Sequence, residues 1–147
     1  FTSIKFFKLN FIYFNLGQKD KIIAKNSYKK IKNRIPKVAI LSLGSDGHIC
    51  SIFKDSENIN LNKYVDIVRP VNKIRRVTLN LNFLEKIKKI YLIVNGSKKG
   101  IILNKIIKGE KSKFPLKVSN KIIFILDKPA FKKIEDNRNI VCLKQQP

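Results

Sequence analysis

Short apolar runs separated by polar, lysine-rich segments organise most of the chain. Three of the runs, at residues 38–43, 90–94 and 121–126, are compact and rich in β-branched residues, which is typical of buried strands. A weaker run at residues 64–68 predicts one more short strand, closed by Pro70. The pattern therefore predicts four strands.

Helical periodicity fills the intervals between these runs. Residues 18–33 carry apolar side chains at helical spacing among lysines, and Pro36 stops this helix. Residues 80–87 have helix-like spacing and follow a basic segment at residues 73–79, where three cations occur in four positions. On the residues alone, that basic segment is more simply interpreted as a solvated turn than as an anion site.

Capping signals mark two further helices. Ser97 is placed to cap a helix over residues 98–108, with Gly109 as its terminator. Asp127 is placed to cap a last helix that has Pro129 in its first turn. Strands that alternate with helices at this spacing predict βαβ units, and therefore an α/β protein with a parallel sheet flanked by helices.

The strand at residues 38–43 runs into a loop with unusual chemistry. Gly44 and Gly47 allow close approach of the backbone to a ligand, Asp46 supplies an acceptor, and His48 is the only histidine in the chain. A glycine-rich loop at the carboxyl end of a parallel strand is a common place for ligand-binding groups. This loop is the candidate site before any family is considered.

The net charge of +22 raises the question of a nucleic-acid partner. Lysine outnumbers arginine 27 to 5 and is spread along all 147 residues, without an arginine block or aromatic–basic interleaving. Together with abundant isoleucine and asparagine, this composition is typical of AT-rich coding. Nucleic-acid binding is therefore the weaker interpretation, whereas an anionic small substrate would benefit from the same positive field.

Length and cysteine usage narrow the class further. The chain has the length of one domain. It has no apolar run long enough to cross a membrane, so we expect a cytoplasmic protein. Cys50 and Cys142 lack metal-binding spacing, which indicates a reducing compartment and no zinc site. Because the chain contains no methionine, we expect it to be a piece of a longer product.

Residues 41–53 read Leu-Ser-Leu-Gly-Ser-Asp-Gly-His-Ile-Cys-Ser-Ile-Phe and resemble the L-G-x-G-x-D-G-H-x-A-S-L-F signature of the 6-phosphogluconolactonase family. Further segments are similar to family motifs in the same order: residues 76–79 to R-[IV]-T-L, 94–99 to a strand ending in T-G-x-x-K, 115–116 to L-P, and 126–130 to L-D-x-x-A. The ordered set spans roughly residues 37–133 and is far more specific than one D-G-H.

The resemblance implies a Rossmann-like, three-layer fold of the sugar-phosphate isomerase superfamily. It implies hydrolysis of 6-phosphogluconolactone to 6-phosphogluconate in the oxidative pentose phosphate pathway, with no metal or organic cofactor. Residues 1–134 would form the carboxyl-terminal portion of the domain and residues 135–147 a tail or linker. Some family members are joined to glucose-6-phosphate dehydrogenase, so fusion to or association with that enzyme is a further expectation.

Roles for individual residues follow from the residue types and the resemblance. His48 is the candidate general base. Asp46 would orient it or hold sugar hydroxyls, with a plain Asx turn as the competing role. Amides between Gly44 and Gly47 would donate to the oxyanion.

Three cations are candidates for the anionic end of the substrate. Lys73, Arg75 and Arg76 come from the basic segment, and Arg76 is preferred because it lies in a matched motif. An arginine can also hold a phosphate through two parallel hydrogen bonds. Lys99 matches a family lysine but is equally well explained as a solvated helix residue.

Several positions depart from the family pattern. Ser42 replaces the first glycine of the loop, and Lys54 stands where proline is usual. The S-P-K-P-P segment is missing, which weakens the equivalence of Lys73 to the family lysine. The family's amino-terminal part, with its D-E-R segment and phosphate loop, is also missing, so the expected domain is incomplete on its amino-terminal side.

Two other functions compete with the lactonase. Glucosamine-6-phosphate deaminases share the D-G-H loop but continue into F-N-E-P, whereas this chain reads Ser51-Ile52-Phe53-Lys54. The other competitor is a non-catalytic basic module that docks a protein or RNA, whose affinity for nucleic acid would fall steeply with salt.

Overall fold

A three-stranded parallel sheet lies at the centre of the computed structural model, which describes residues 17–52, 64–69, 75–110 and 120–135. In chain order the elements are α1 (Asp20–Ile31), β1 (Val38–Ser42), β2 (Val65–Val68), β3 (Arg76–Leu79), α2 (Leu81–Leu84), β4 (Lys89–Val94), α3 (Ser97–Ile107), β5 (Ile122–Leu126) and α4 (Lys128–Phe131). The predicted α/β class, with a parallel sheet flanked by helices, is confirmed. Lys73, Lys54, Cys142, the match at 115–116 and the tail beyond residue 135 lie outside the described residues.

The sheet has the order β1-β4-β5, and both pairings are parallel. Ile90, Leu92 and Val94 of the central strand are completely buried on one face. Residues from all four helices, among them Leu103 of α3 and Ala130 of α4, share a core cluster with these strand residues. Burial of this apolar surface stabilises the βαβ arrangement.

The opposite face of the same sheet is apolar and exposed. Its exposed residues are Val38, Ile40, Ile93, Ile123 and Ile125, and Ile40 is 68% accessible. Parallel sheets normally bury both faces. The described residues therefore supply two of the three layers of such a fold, with the helices packed on one side.

Strands β2 and β3 form a separate antiparallel pair. The sequence predicted β2 but neither β3 nor the pairing. Val65 pairs with Leu79 and Val68 with Arg76, so the end of the basic segment is a strand rather than a turn. The pairing is a tertiary effect, because the four residues of β3 carry too little periodic signal to predict a strand.

The helix-end signals agree with expectation at two of three positions. Asp127 accepts a hydrogen bond from the Ala130 amide at 2.8 Å, and Gly109 ends α3 with a φ of 73°. The prediction that Ser97 caps α3 is wrong, because Gly96 is the cap residue and Ser97 is the first helical residue. The carboxylate of Asp127 accepts from the Gly96 amide at 2.9 and 3.0 Å, which fixes the turn one residue earlier.

None of the helices in the described ranges is long and apolar enough to cross a bilayer. The longest, α1, has 12 residues.

Candidate active site

The loop that follows β1 is closed by its own backbone. The Leu43 amide donates to the Ile93 carbonyl at 3.1 Å, which keeps the loop entrance against β4. The Gly44 amide donates to the His48 carbonyl at 2.8 Å, and the Gly47 amide to the Gly44 carbonyl at 3.1 Å. Gly47 has a φ of 91°, which explains the glycine at this position. The loop is therefore a fixed turn at the carboxyl end of β1.

The same bonds alter the expected role of the two glycines. The amides of Gly44 and Gly47 already donate to carbonyls within the loop. They hold the turn in shape, and the geometry gives no support to either amide as an oxyanion donor.

Gly44 instead forms the wall against which the imidazole packs. A β-carbon built at Gly44 would lie 2.9 Å from Cγ of His48 and closer still to Cε1 and Nδ1. Real β-carbons do not approach other heavy atoms so closely. A side chain at this position is incompatible with the observed place of the ring.

The ring is also held by Asp46. Nδ1 of His48 and Oδ1 of Asp46 form a short ion pair or hydrogen bond, and the His48 amide lies 3.5 Å from the same oxygen. Burial raises the pKa of Asp46, but its hydrogen bond to His48 and the charge interaction between them outweigh burial and lower that pKa overall. In the tautomer of the imidazole that carries its proton on Nδ1 and donates it to this carboxylate, the lone pair lies on Nε2.

Arg76 lies on a strand that contacts the segment following His48. The Ser51 amide donates to Oγ1 of Thr78 at 2.9 Å, which joins β3 to that segment. Side chains two residues apart on a strand share a face, so Arg76 projects from the same face of β3 as Thr78. Arg76 is exposed, with its α-carbon about 7 Å from that of Thr78.

Arg75 is directed elsewhere. Its guanidinium pairs with Asp20 at the start of α1 at 3.0 Å, and Arg69 pairs with the other oxygen of the same carboxylate at 2.6 Å. The structure therefore links Arg75 to α1.

Lys99 reaches the carboxyl ends of two neighbouring strands. Its Nζ donates to Oγ of Ser42, the last residue of β1, at 3.1 Å and to Oδ1 of Asn95, which follows β4, at 3.2 Å. The interpretation of Lys99 as a merely solvated helix lysine missed these contacts. One sequence feature could have predicted that Lys99 lies near Ser42: both residues belong to segments that resemble family motifs.

Residues 9–122 match the family described as glucosamine-6-phosphate isomerases/6-phosphogluconolactonase. The chain belongs to this family. The match covers most of the chain and includes the histidine loop, Arg76 and Lys99.

Individual relatives agree with this assignment. The 6-phosphogluconolactonase of Helicobacter pylori strain ATCC 700392 / 26695 is 33% identical over 76 residues, which are 50% of this chain and 34% of the relative. The structure of 6-phosphogluconolactonase from Trypanosoma cruzi superposes with a TM-score of 0.62 at 26% identity, covering 82% of this chain and 52% of that one. A monomeric glucosamine-6-phosphate deaminase gives a TM-score of 0.60 at 16% identity, covering 77% and 54%, and shares the fold. The chain thus spans between a third and about half of its relatives' length.

Proposed function

We propose that this chain carries the catalytic loop of a 6-phosphogluconolactonase, which hydrolyses 6-phosphogluconolactone to 6-phosphogluconate in the oxidative pentose phosphate pathway of the cytoplasm. The observation that carries the proposal is the Asp46–His48 pair, packed on Gly44 at the carboxyl end of a parallel strand. The H. pylori and T. cruzi relatives carry the name of this activity and support the choice of substrate.

The geometry suits general-base attack by water on an ester carbonyl. Nε2 of His48 takes a proton from water as the water oxygen bonds to the lactone carbonyl carbon. The tetrahedral intermediate then collapses, the bond from that carbon to the ring oxygen breaks, and the imidazolium returns the proton to the departing oxygen. Asp46 holds Nδ1 and stabilises the imidazolium that exists between the two steps.

Two cations are candidates to bind the phosphate of the substrate. Arg76 is the candidate ligand of the phosphate from the β3 side, as its motif implies, and Lys99 is a second cation at the ends of β1 and β4. Lys73 stays a candidate on sequence grounds alone. Association with glucose-6-phosphate dehydrogenase likewise stays a proposal.

A substrate panel tests this function against its alternatives. The lactonase proposal predicts that the chain accelerates 6-phosphogluconolactone hydrolysis above the spontaneous rate and releases no ammonia from glucosamine-6-phosphate. Ammonia release without lactone hydrolysis would favour the deaminase, whose fold the chain shares. Salt-sensitive RNA binding without any turnover would favour the basic binding module.

A further inference from the structure

The Lys99 ammonium differs from two other cations among the described residues in the charge of its partners. Lys108 pairs with Glu135 at 2.6 Å, and Arg75 pairs with Asp20, so each of those charges is balanced by a carboxylate. In the part of the chain that the structure describes, Lys99 forms no such ion pair. Both of its hydrogen-bond partners among the described residues are neutral oxygens, from Ser42 and Asn95.

Neutral acceptors fix an ammonium without cancelling its charge. A lysine ammonium has three N–H donors, and two of them are engaged here. The two contacts also restrict a side chain that has large rotamer freedom, so less freedom is lost when an anion binds. The result is a full positive charge with a donor to offer, held at one place.

That place is close to the histidine. Ser42 is two residues before Gly44, and two residues of extended chain span at most about 7 Å. Because Gly44 contacts the imidazole, the ammonium and the proposed base lie within the reach of one small sugar phosphate.

We propose that Ser42 and Asn95 are positioning residues: they hold at the carboxyl edge of the sheet the ammonium of Lys99, which the proposed function already gives as a second cation for the phosphate. This inference rests on the proposed function. Ser42 is also where the chain departs from the glycine of the resembled loop motif, and a glycine has no hydroxyl to accept from Lys99. The device is therefore a property of this chain's own residues.

The test measures binding of 6-phosphogluconate and of unphosphorylated gluconate by calorimetry, together with KM and kcat for the lactone. Lys99→Ala should weaken 6-phosphogluconate binding about tenfold or more, as expected for loss of a charged hydrogen bond. Ser42→Ala should weaken it about fivefold, the equivalent of one hydrogen bond of about 1 kcal/mol. Both should raise KM more than they lower kcat and leave gluconate binding unchanged.

Three further variants make the result decisive. Ser42→Thr keeps a hydroxyl and should restore binding, whereas Lys98→Ala, on an exposed neighbour, should have no effect. In the Lys99→Ala background, Ser42→Ala should cause no further loss, because it acts only through that lysine. Wild-type affinity in Ser42→Ala, or losses that multiply in the double variant, would overturn the inference while lactone turnover still supported the proposed function. A wild-type chain that neither binds 6-phosphogluconate nor hydrolyses the lactone would refute both.

Discussion

The α-carbon of Gly44 lies against the imidazole of His48, so closely that no side chain fits between them. Gly44 does not have a positive φ, unlike Gly47, Gly96 and Gly109, so its backbone torsions do not require glycine. The requirement comes from the nearest atoms, which all belong to the ring, and it links a loop glycine directly to the proposed base.

Gly44→Ala should therefore displace the imidazole and break its pairing with Asp46. We expect a loss of kcat of about tenfold or more, because a misplaced base forfeits part of the 10²- to 10⁴-fold that a positioned base supplies. Gly109→Ala is the matched control: a new β-carbon there meets no atom within 4 Å, but its φ is 73°. That variant should lose about 1 kcal/mol of stability and keep its activity. Equal activity of the two variants would contradict the role assigned to Gly44.

Asp46→Asn should change how stability depends on pH. The pKa of Asp46 is lowered in the folded chain, so its ionised form stabilises the fold above the ordinary pKa of 3.8, and that contribution is lost as pH falls through the folded value. The melting temperature of the wild type should exceed that of the variant at pH 6, and the difference should shrink at pH 3. An offset that is the same at both pH values would show that the Asp46–His48 pair does not contribute in this way.

Cys50 should react slowly with alkylating reagents although it lies only two residues from His48. Burial raises the pKa of its thiol to about 11, so little thiolate is present at neutral pH. Iodoacetamide labelling at pH 7.5, followed by peptide mass spectrometry to separate Cys50 from Cys142, should be slow in the folded chain. Unfolding in guanidinium should accelerate it by one to two orders of magnitude, as the pKa returns to about 8.5. Rapid labelling of the native chain would contradict the raised pKa of this partly exposed thiol.

Gly100→Ala should destabilise the packing of α3 on α4. A β-carbon at Gly100 would lie 2.7 Å from Cα and 2.9 Å from the carbonyl carbon of Ala130, and backbone cannot move aside as a flexible side chain can. We expect a loss of about 1–3 kcal/mol in the free energy of unfolding, the usual cost of overpacking. Lys98→Ala on the same helix should stay near wild type in urea titrations. A Gly100→Ala chain as stable as that control would show that α3 and α4 are not in close backbone contact.

The sequence predicted what depends on local patterns. The buried strands, the cap at Asp127 and the turn at Gly109 follow from periodicity and residue type, and each is present in the fold. The loop of Gly44, Asp46 and His48 was recognisable because its residue types are unusual and adjacent. These features need no knowledge of distant contacts.

What the sequence missed depends on contacts between distant residues. The strand at Arg76–Leu79 exists because it pairs with β2, and Ser97 loses its capping role because Asp127, thirty residues on, binds the Gly96 amide. The bond from Lys99 to Ser42 joins residues 57 positions apart. No local pattern carries that information.

Steady-state hydrolysis of 6-phosphogluconolactone by the wild type and by His48→Ala, corrected for the spontaneous reaction, tests the central claim most directly. The account predicts wild-type turnover above background and a kcat lower by on the order of 10²-fold or more in the variant, with the melting temperature little changed. A His48→Ala chain that hydrolyses the lactone at the wild-type rate would contradict it.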